Sequence, residues 1–515
     1  MRNGNRELFP PHNPGGDGGV SFPVKALFLV TGTKSQAPNT PFRRFGDFFV
    51  AISLRENSPA SILRSGTWII RGRLGEQPNR RIVARLDKAK IARAKTISAK
   101  REIQTGAKLR PLVMIDISVL YCGLETPSAP HRYGRKITQI DPPEHQRMKQ
   151  AKSAKERRPI VVWNLTRTCN LNCQHCYTAS EAKSYPGELT TEQCKAVLDD
   201  LAEFKVPAVL FSGGEPLVRK DVFELAAYAR EQGLHVVLST NGVLITREIA
   251  EKLKELKFAY IGISLDSAFP EVHDKFRGME GAFEKTMKGF RHCVDVGQKV
   301  GLRLTLTRET CENLDAIFDL IEREGINRAC FYHLCPAGRG KDLYCMDREQ
   351  TRQAIDTILD RTRDLHERGK PVEILTVDNH CDGPYMWMKM VKEGHPRAQQ
   401  VREMLEWNGG GRYSSGVGIS DIDFLGNVHA DQFSMFRSFG NVKERRFSEI
   451  WQDVSDPVMA GLKERLPLLQ GRCADCKFKN MCGGGLRARA EIVNGDPFAE
   501  DPGCYLTDEE ISGEL

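Results

Sequence analysis

The chain has no apolar run long enough to cross a bilayer. Stretches such as Ala26–Val30 and Phe48–Ile52 end after a few residues, whereas a membrane helix needs about 20. The start lacks the basic, apolar and small-residue layout of a secretory signal. No membrane partner and a cytoplasmic location are therefore expected. Acidic residues are scarce in 1–113, where 21 Lys and Arg stand against 7 Asp and Glu. The remainder holds 54 basic and 60 acidic side chains, so the net charge of +8 comes entirely from the first stretch. That placement removes the case for nucleic-acid binding. Residues 1–113 also contain no cysteine, although the chain has 15. Without a secretory signal, metal or redox chemistry is the expected use of so many thiols.

The 515 residues suffice for several domains, and 40% hydrophobic with 28% charged is ordinary globular composition. Residues 1–113 read as a disordered or spurious basic extension. Their opening is rich in Pro, Gly and Asn. The apolar pieces Val24–Thr31 and Phe48–Leu54 and the basic stretch Ala84–Arg101 make no domain pattern. An Arg-rich, acid-poor leader also has the composition of an organelle transit peptide. The simpler expectation is that Met114 is the initiator. Residues 114–158 form an N-terminal segment and a Pro-rich, then basic, linker.

From residue 159 the pattern is regular. Strands are predicted at Ile160–Leu165, Ala208–Phe211, His235–Ser239, Tyr260–Leu265, Gly301–Thr307 and Ala329–Tyr332. Amphipathic helices are predicted at about 190–204, 219–232, 246–256, 281–297, 312–324 and 347–367. Strand followed by helix, six times over, means parallel βα units. The fold class is α/β, a partial (β/α)6 TIM-like barrel over 159–370 with function at the C-terminal strand ends. Residues 371–415 read as an irregular connector, and 416–515 as a small loop-rich domain. That domain opens with a hairpin over Gly416–His429, turning at Leu425-Gly426-Asn427.

Cys169, Cys173 and Cys176 have the spacing C-x3-C-x2-C and directly follow the first predicted strand. Three thiolates on one short loop can hold three corners of a cubane cluster and leave the fourth iron open. Zinc would need a fourth ligand from elsewhere. The next strand ends in Ser212-Gly213-Gly214-Glu215-Pro216. Paired glycines permit close backbone approach, either to a ligand or within an ordinary turn. Thr240 and Asn241 end the third strand, Ser264 and Asp266 end the fourth, and Arg303 lies in the fifth. Each has a structural alternative: helix capping for the polar residues, an ion pair for Arg303. Near the C-terminus, Cys473, Cys476, Cys482 and Cys504 are spaced C-x2-C-x5-C-x21-C, suited to a fully ligated metal site, with zinc as the structural alternative.

The first cysteine motif, followed by the aromatic Tyr177, resembles that of the radical S-adenosylmethionine (SAM) enzymes. The resemblance implies a [4Fe–4S] cluster on Cys169, Cys173 and Cys176 that chelates SAM and generates a 5′-deoxyadenosyl radical. It also implies SAM contacts from Gly213, Gly214, Glu215, Pro216, Thr240, Asn241, Ser264, Asp266 and Arg303. The last four cysteines resemble the SPASM/Twitch extension, implying an auxiliary [4Fe–4S] cluster on Cys473, Cys476, Cys482 and Cys504. Leu486 and the His429–Gln432 stretch stand where the fuller pattern has further cysteines, so two clusters in all are expected. From Met114 on, the chain resembles the tetrapyrrole-modifying branch. The matching stretches are Met114–Ser118, Leu120–Gly123, Phe331–Leu334, Ala337–Gly340, Gly426–His429, Asp431–Phe433, Gly440–Lys443 and Cys482–Gly485.

That branch implies an iron-containing tetrapyrrole substrate and a reducing partner such as ferredoxin or flavodoxin. The implied reaction removes acetate side chains from 12,18-didecarboxysiroheme to give Fe-coproporphyrin III, with the auxiliary cluster carrying electrons. Propionate removal from the same precursor, as in the d1-haem pathway, and peptide maturation are the alternatives. Arg339, Lys341 and Arg437 are candidates for the substrate carboxylates, with solvated surface charge as the alternative. His333 and His429 are candidates for approaching the macrocycle iron, with packing as the alternative. Cys194, Cys293, Cys311 and Cys330 are expected to pack, while Cys122, Cys335, Cys345 and Cys381 have no ligand spacing.

Overall fold

A computed structural model describes the backbone of residues 25–30, 48–55 and 68–72, and residues 114–124, 157–343 and 346–513 in full. The chain divides into two units, 1–106 and 107–515. In the first, strands β1 (Lys25–Val30), β2 (Phe48–Arg55) and β3 (Trp68–Gly72) form an antiparallel sheet in that order. β1 and β2 coincide with the two apolar pieces of the sequence. The rest of 1–113, the 84–101 stretch included, lies outside the described residues.

The second unit is built on one ten-stranded sheet. β4 (Met114–Asp116) and the short α1 (Ile117–Leu120) precede the regular repeat. Then come β5 (Ile160–Thr166), α2 (Thr191–Glu203), β6 (Val209–Gly213), α3 (Val222–Glu231), β7 (Val236–Thr240), α4 (Arg247–Glu255) and β8 (Tyr260–Ser264). α5 (Pro270–Arg277), α6 (Ala282–Asp295), β9 (Val300–Leu306), α7 (Arg308–Cys311), α8 (Leu314–Arg323), β10 (Arg328–His333) and α9 (Arg348–Glu367) follow. The six predicted strands and six helices are all present.

Strands β5 to β10 are neighbours in chain order and all parallel, so their C-terminal ends share one edge. Buried on both faces, they read as continuous apolar runs. Trp163, Phe211, Leu238, Ile261, Leu304 and Phe331 are buried in the common core. Helix starts are specified locally. Thr190 with Gln193, and Asp347 with Gln350, form capping boxes at α2 and α9.

Residues 371–415 differ from the irregular connector expected. They hold a further parallel strand, β11 (Glu373–Val377), and two helices, α10 (Asp382–Lys392) and α11 (Ala398–Asn408). α10 opens on Asp382-Gly383-Pro384, which reads as a turn, and it is held as a helix by burial of Asp382–Met388 and Met390. α5 begins on Pro270 at its first turn and was also missed. The predicted hairpin is β12 (Ile419–Ile422) with β13 (Val428–His429), and β12 pairs in parallel with β5. The sheet order is β13-β12-β5-β6-β7-β8-β9-β10-β11-β4, open at both ends. Short helices complete the unit: α12 (Phe447–Gln452), α13 (Pro457–Lys463), α14 (Arg472–Asp475), α15 (Lys479–Cys482), α16 (Arg487–Asn494) and α17 (Asp508–Ser512).

Candidate active site

The loop after β5 places Cys169, Cys173 and Cys176 together with Leu171, Val243 and Met279 in one small cluster at the C-terminal strand edge. Each sulfur receives a protein donor. Leu171 N–H lies 3.4 Å from Cys169 Sγ, Ser180 N–H 3.4 Å from Cys176 Sγ, and Arg277 Nη1 3.6 Å from Cys173 Sγ. Burial pushes the Cys169 thiol up to about 12 and raises Cys173 as well. Burial thus disfavours the free thiolates of Cys169 and Cys173, while the donors suit sulfurs that carry negative charge. Arg339 braces the loop through Nε to Cys173 O (2.8 Å) and Nη1 to Ser180 O (3.0 Å). This candidate carboxylate clamp thus serves the cysteine loop.

The Gly213-Gly214 turn presses against the same loop. Gly214 N–H donates to Thr166 O (2.7 Å) and Glu215 N–H to Thr168 O (3.0 Å). A Cβ on Gly214 would lie 2.2 Å from Thr168 O, so no side chain fits between the two segments. Gly213 has φ +122°, which also favours glycine. Glu215 is fully buried, and its carboxylate accepts from Thr240 Oγ1 (2.9 and 3.0 Å), Asn241 N–H (2.8 Å) and Leu217 N–H (3.0 Å). Burial raises its pKa to about 7 against these donors. Pro216 opens the 3-10 turn that follows. Asn241 Nδ2 reaches Asn170 Oδ1 (2.8 Å), joining the end of β7 to the cysteine loop.

Asp266 is buried and ion-paired with Arg277, and accepts from Thr305 N–H (3.1 Å). Burial opposes its ionisation, but the Arg277 guanidinium outweighs that and holds the carboxyl below the usual range. Arg277 thus links Asp266 to Cys173. Ser264 is half-buried opposite Arg303 in the sheet register. Arg303 donates to Ser239 Oγ (2.7 Å) and crosses Gly262, where a Cβ would lie 2.2 Å from its Nε. That Nε is buried without a partner. Asp378, just past β11, has φ +66° and a buried, unpartnered Oδ2. Burial and the neighbouring Asp431 raise it to about 7.

A second cavity is lined by Cys473, Cys476, Cys482 and Cys504, with Cys381, Asn379, Asp501 and Phe478 among its other walls. Asp501 organises the tail. It pairs with Arg489 (2.7 and 2.9 Å) and accepts from Leu486 N–H (2.8 Å) and Gly503 N–H (2.9 Å). In the glycine run after Cys482, a Cβ on Gly485 would lie 2.1 Å from Asp501 Oδ2 and one on Gly483 2.0 Å from Arg412 N. Among the described residues, no three His, Cys, Asp or Glu side chains close on a single-ion point. Leu486 packs with Cys335, Ala337 and Ala488. His429 Nδ1 meets Arg437 O (2.7 Å), and its Nε2 lies 3.4 Å from Asp423.

Residues 163–321 match the model of the radical SAM superfamily. The chain is 53% identical over 403 residues to an Fe-coproporphyrin III synthase of Methanosarcina barkeri, covering 77% of this chain and 99% of that protein. The chain belongs to the radical SAM superfamily. As a radical SAM enzyme it uses SAM and a [4Fe–4S] cluster, and the three donor-supplied sulfurs fit that cluster. It is also 43% identical over 355 residues to a pre-heme d1 synthase of Dinoroseobacter shibae, covering 68% of this chain and 87% of that protein. In fold it is similar to the crystal structure of Streptococcus suis SuiB bound to precursor peptide SuiA. There the TM-score is 0.54 at 18% identity, covering 70% of this chain and 79% of that one.

Several site residues of this radical SAM enzyme carried no sequence signal. Arg277 belongs to no spaced motif and Asn170 fills an unspecified position of the cysteine motif, and each is placed by a partner distant in the chain. Cys381 lies far from the terminal cysteines in sequence. Arg437 is ion-paired with Glu491, and His333 is bonded to Asp382 (3.0 Å). Lys341 is exposed. Cys345 lies outside the described residues. No helix among the described residues is long and apolar enough to cross a membrane.

Proposed function

We propose that this enzyme removes acetate side chains from 12,18-didecarboxysiroheme, giving Fe-coproporphyrin III. The observation that carries this reading is the 53% identity running through 99% of the Methanosarcina barkeri Fe-coproporphyrin III synthase. The pre-heme d1 synthase, at 43%, supports the same tetrapyrrole class and keeps propionate removal as the second reading. The first cluster is assigned to Cys169, Cys173 and Cys176. An auxiliary [4Fe–4S] cluster is assigned to Cys473, Cys476, Cys482 and Cys504. A ferredoxin or flavodoxin is the reductant. When bound there, the cluster and SAM would supply a 5′-deoxyadenosyl radical for abstraction of a hydrogen atom from the substrate.

The chain's own residues position and exclude. SAM is assigned to the rim of Gly213–Pro216, Thr240, Asn241, Ser264, Asp266 and Arg303. Glu215 acts there by clamping the end of β7 to the glycine turn, and Asp266 by holding Arg277 against Cys173. Arg303, held at the end of the sheet by its bond to Ser239, is the cation assigned to the SAM carboxylate. Loss of two acetates needs two hydrogen abstractions. Reduced, reconstituted enzyme should therefore release two 5′-deoxyadenosine for each macrocycle fully converted. A ratio of one, with full conversion, would refute this sequence of events.

A further inference from the structure

The auxiliary cavity holds five cysteines, while four suffice for a cubane cluster. The fifth, Cys381, sits in the turn between β11 and α10. It is buried and lines the cavity with Cys473, Cys476, Cys482 and Cys504. It shares the wall of this cavity with Cys504. Asn379 holds both partners: its Oδ1 accepts from Cys381 Sγ (3.1 Å), and its Nδ2 donates to Gly503 O (2.7 Å), one residue before Cys504. Asp382, next in the chain, accepts from Tyr505 O–H (2.8 Å), one residue after Cys504. The turn leaving the barrel's active edge thus grips the segment carrying Cys504 on both sides.

We infer that Cys381 is not a ligand but, once Cys504 is bound in the cluster, turns its S–H from Asn379 to the Cys504 sulfur, setting the reduction potential of the auxiliary cluster. This rests on the auxiliary cluster proposed above. In the metal-free structure the Cys381 S–H is given to the neutral Asn379 amide oxygen, while the Cys504 sulfur lines the same cavity. Once Cys504 is a metal-bound thiolate it carries charge and is the stronger acceptor. A donor to a ligating sulfur stabilises the reduced, more negative cluster and raises its potential. Cys381 is therefore a positioning residue, acting on the cluster through Cys504.

The test is an EPR-monitored redox titration of the reconstituted full-length protein, with iron counted in parallel. Cys381→Ala keeps about eight irons and moves the auxiliary midpoint to more negative potential. The expected size is about tenfold in the oxidised-to-reduced ratio at fixed potential, ~59 mV for one electron. The midpoint of the first cluster stays in place as internal reference. Cys381→Ser retains a donor and restores most of the wild-type potential. Unchanged auxiliary midpoints in all three proteins would overturn the inference. So would loss of four irons in Cys381→Ala, which would make Cys381 a ligand. Only four irons in wild type would instead remove the auxiliary cluster, and this inference with it.

Discussion

Gly214 is where a single methyl group reports most on the architecture. A Cβ there would lie 2.2 Å from Thr168 O and 2.7 Å from Arg167 O, both backbone atoms that cannot rotate away. Ordinary contact begins near 3.4 Å, so Gly214→Ala must drive the turn and the cysteine loop apart by roughly 1 Å. The Gly214–Thr166 and Glu215–Thr168 hydrogen bonds, at 2.7 and 3.0 Å, break in consequence. A buried donor left unpaired costs about 1–3 kcal/mol, so the pair costs about 2–6 kcal/mol. The strain falls on the loop carrying Cys169, Cys173 and Cys176, while the C-terminal cavity is built from other residues. After reconstitution, Gly214→Ala should keep the auxiliary cluster, lose about half its iron and fail to cleave SAM. Iron assay with 5′-deoxyadenosine quantification decides it. A variant with full iron and wild-type SAM cleavage would refute the claim that this turn and loop must touch.

Other outcomes follow from the same geometry. Asp266→Asn leaves Arg277 as an unpaired buried charge and should cost about 3–5 kcal/mol in denaturant unfolding. Because the folded state holds Asp266 and Asp501 below their ordinary values, their stabilisation is present above about pH 4 and lost as pH falls through the folded values. Acid unfolding followed by circular dichroism should therefore be shallower in Asp266→Asn. Replacing Cys473, Cys476 and Cys482 together should halve the iron; stoichiometric zinc in the wild-type protein would contradict an auxiliary iron–sulfur cluster. A chain beginning at Met114 should keep full iron content and SAM cleavage, and loss of either would show that the preceding stretch is needed.

The barrel was legible because its rules are local. β-branched strands alternate with helices, and the helix starts carry their own caps, as at Thr190 and Asp347. The cysteine loops were legible because a cluster demands close spacing. What escaped reading depends on distant partners. α10 opens on Gly383-Pro384, which reads as a turn, and is held as a helix by what it packs against. Glu215 reads as a ligand-facing carboxylate, yet its oxygens meet Thr240, Asn241 and Leu217. Arg339 looks like a surface clamp for substrate, but folds onto the carbonyls of Cys173 and Ser180. Cys381 reaches the auxiliary cavity only because β11 joins the sheet beside β10.

The most direct measurement incubates the reduced, reconstituted protein with SAM and 12,18-didecarboxysiroheme and reads the tetrapyrrole by mass spectrometry. Acetate removal predicts Fe-coproporphyrin III, with both acetate side chains gone and every propionate retained. A product that keeps its acetates and has lost propionates, or unchanged substrate beside abundant 5′-deoxyadenosine, would contradict it.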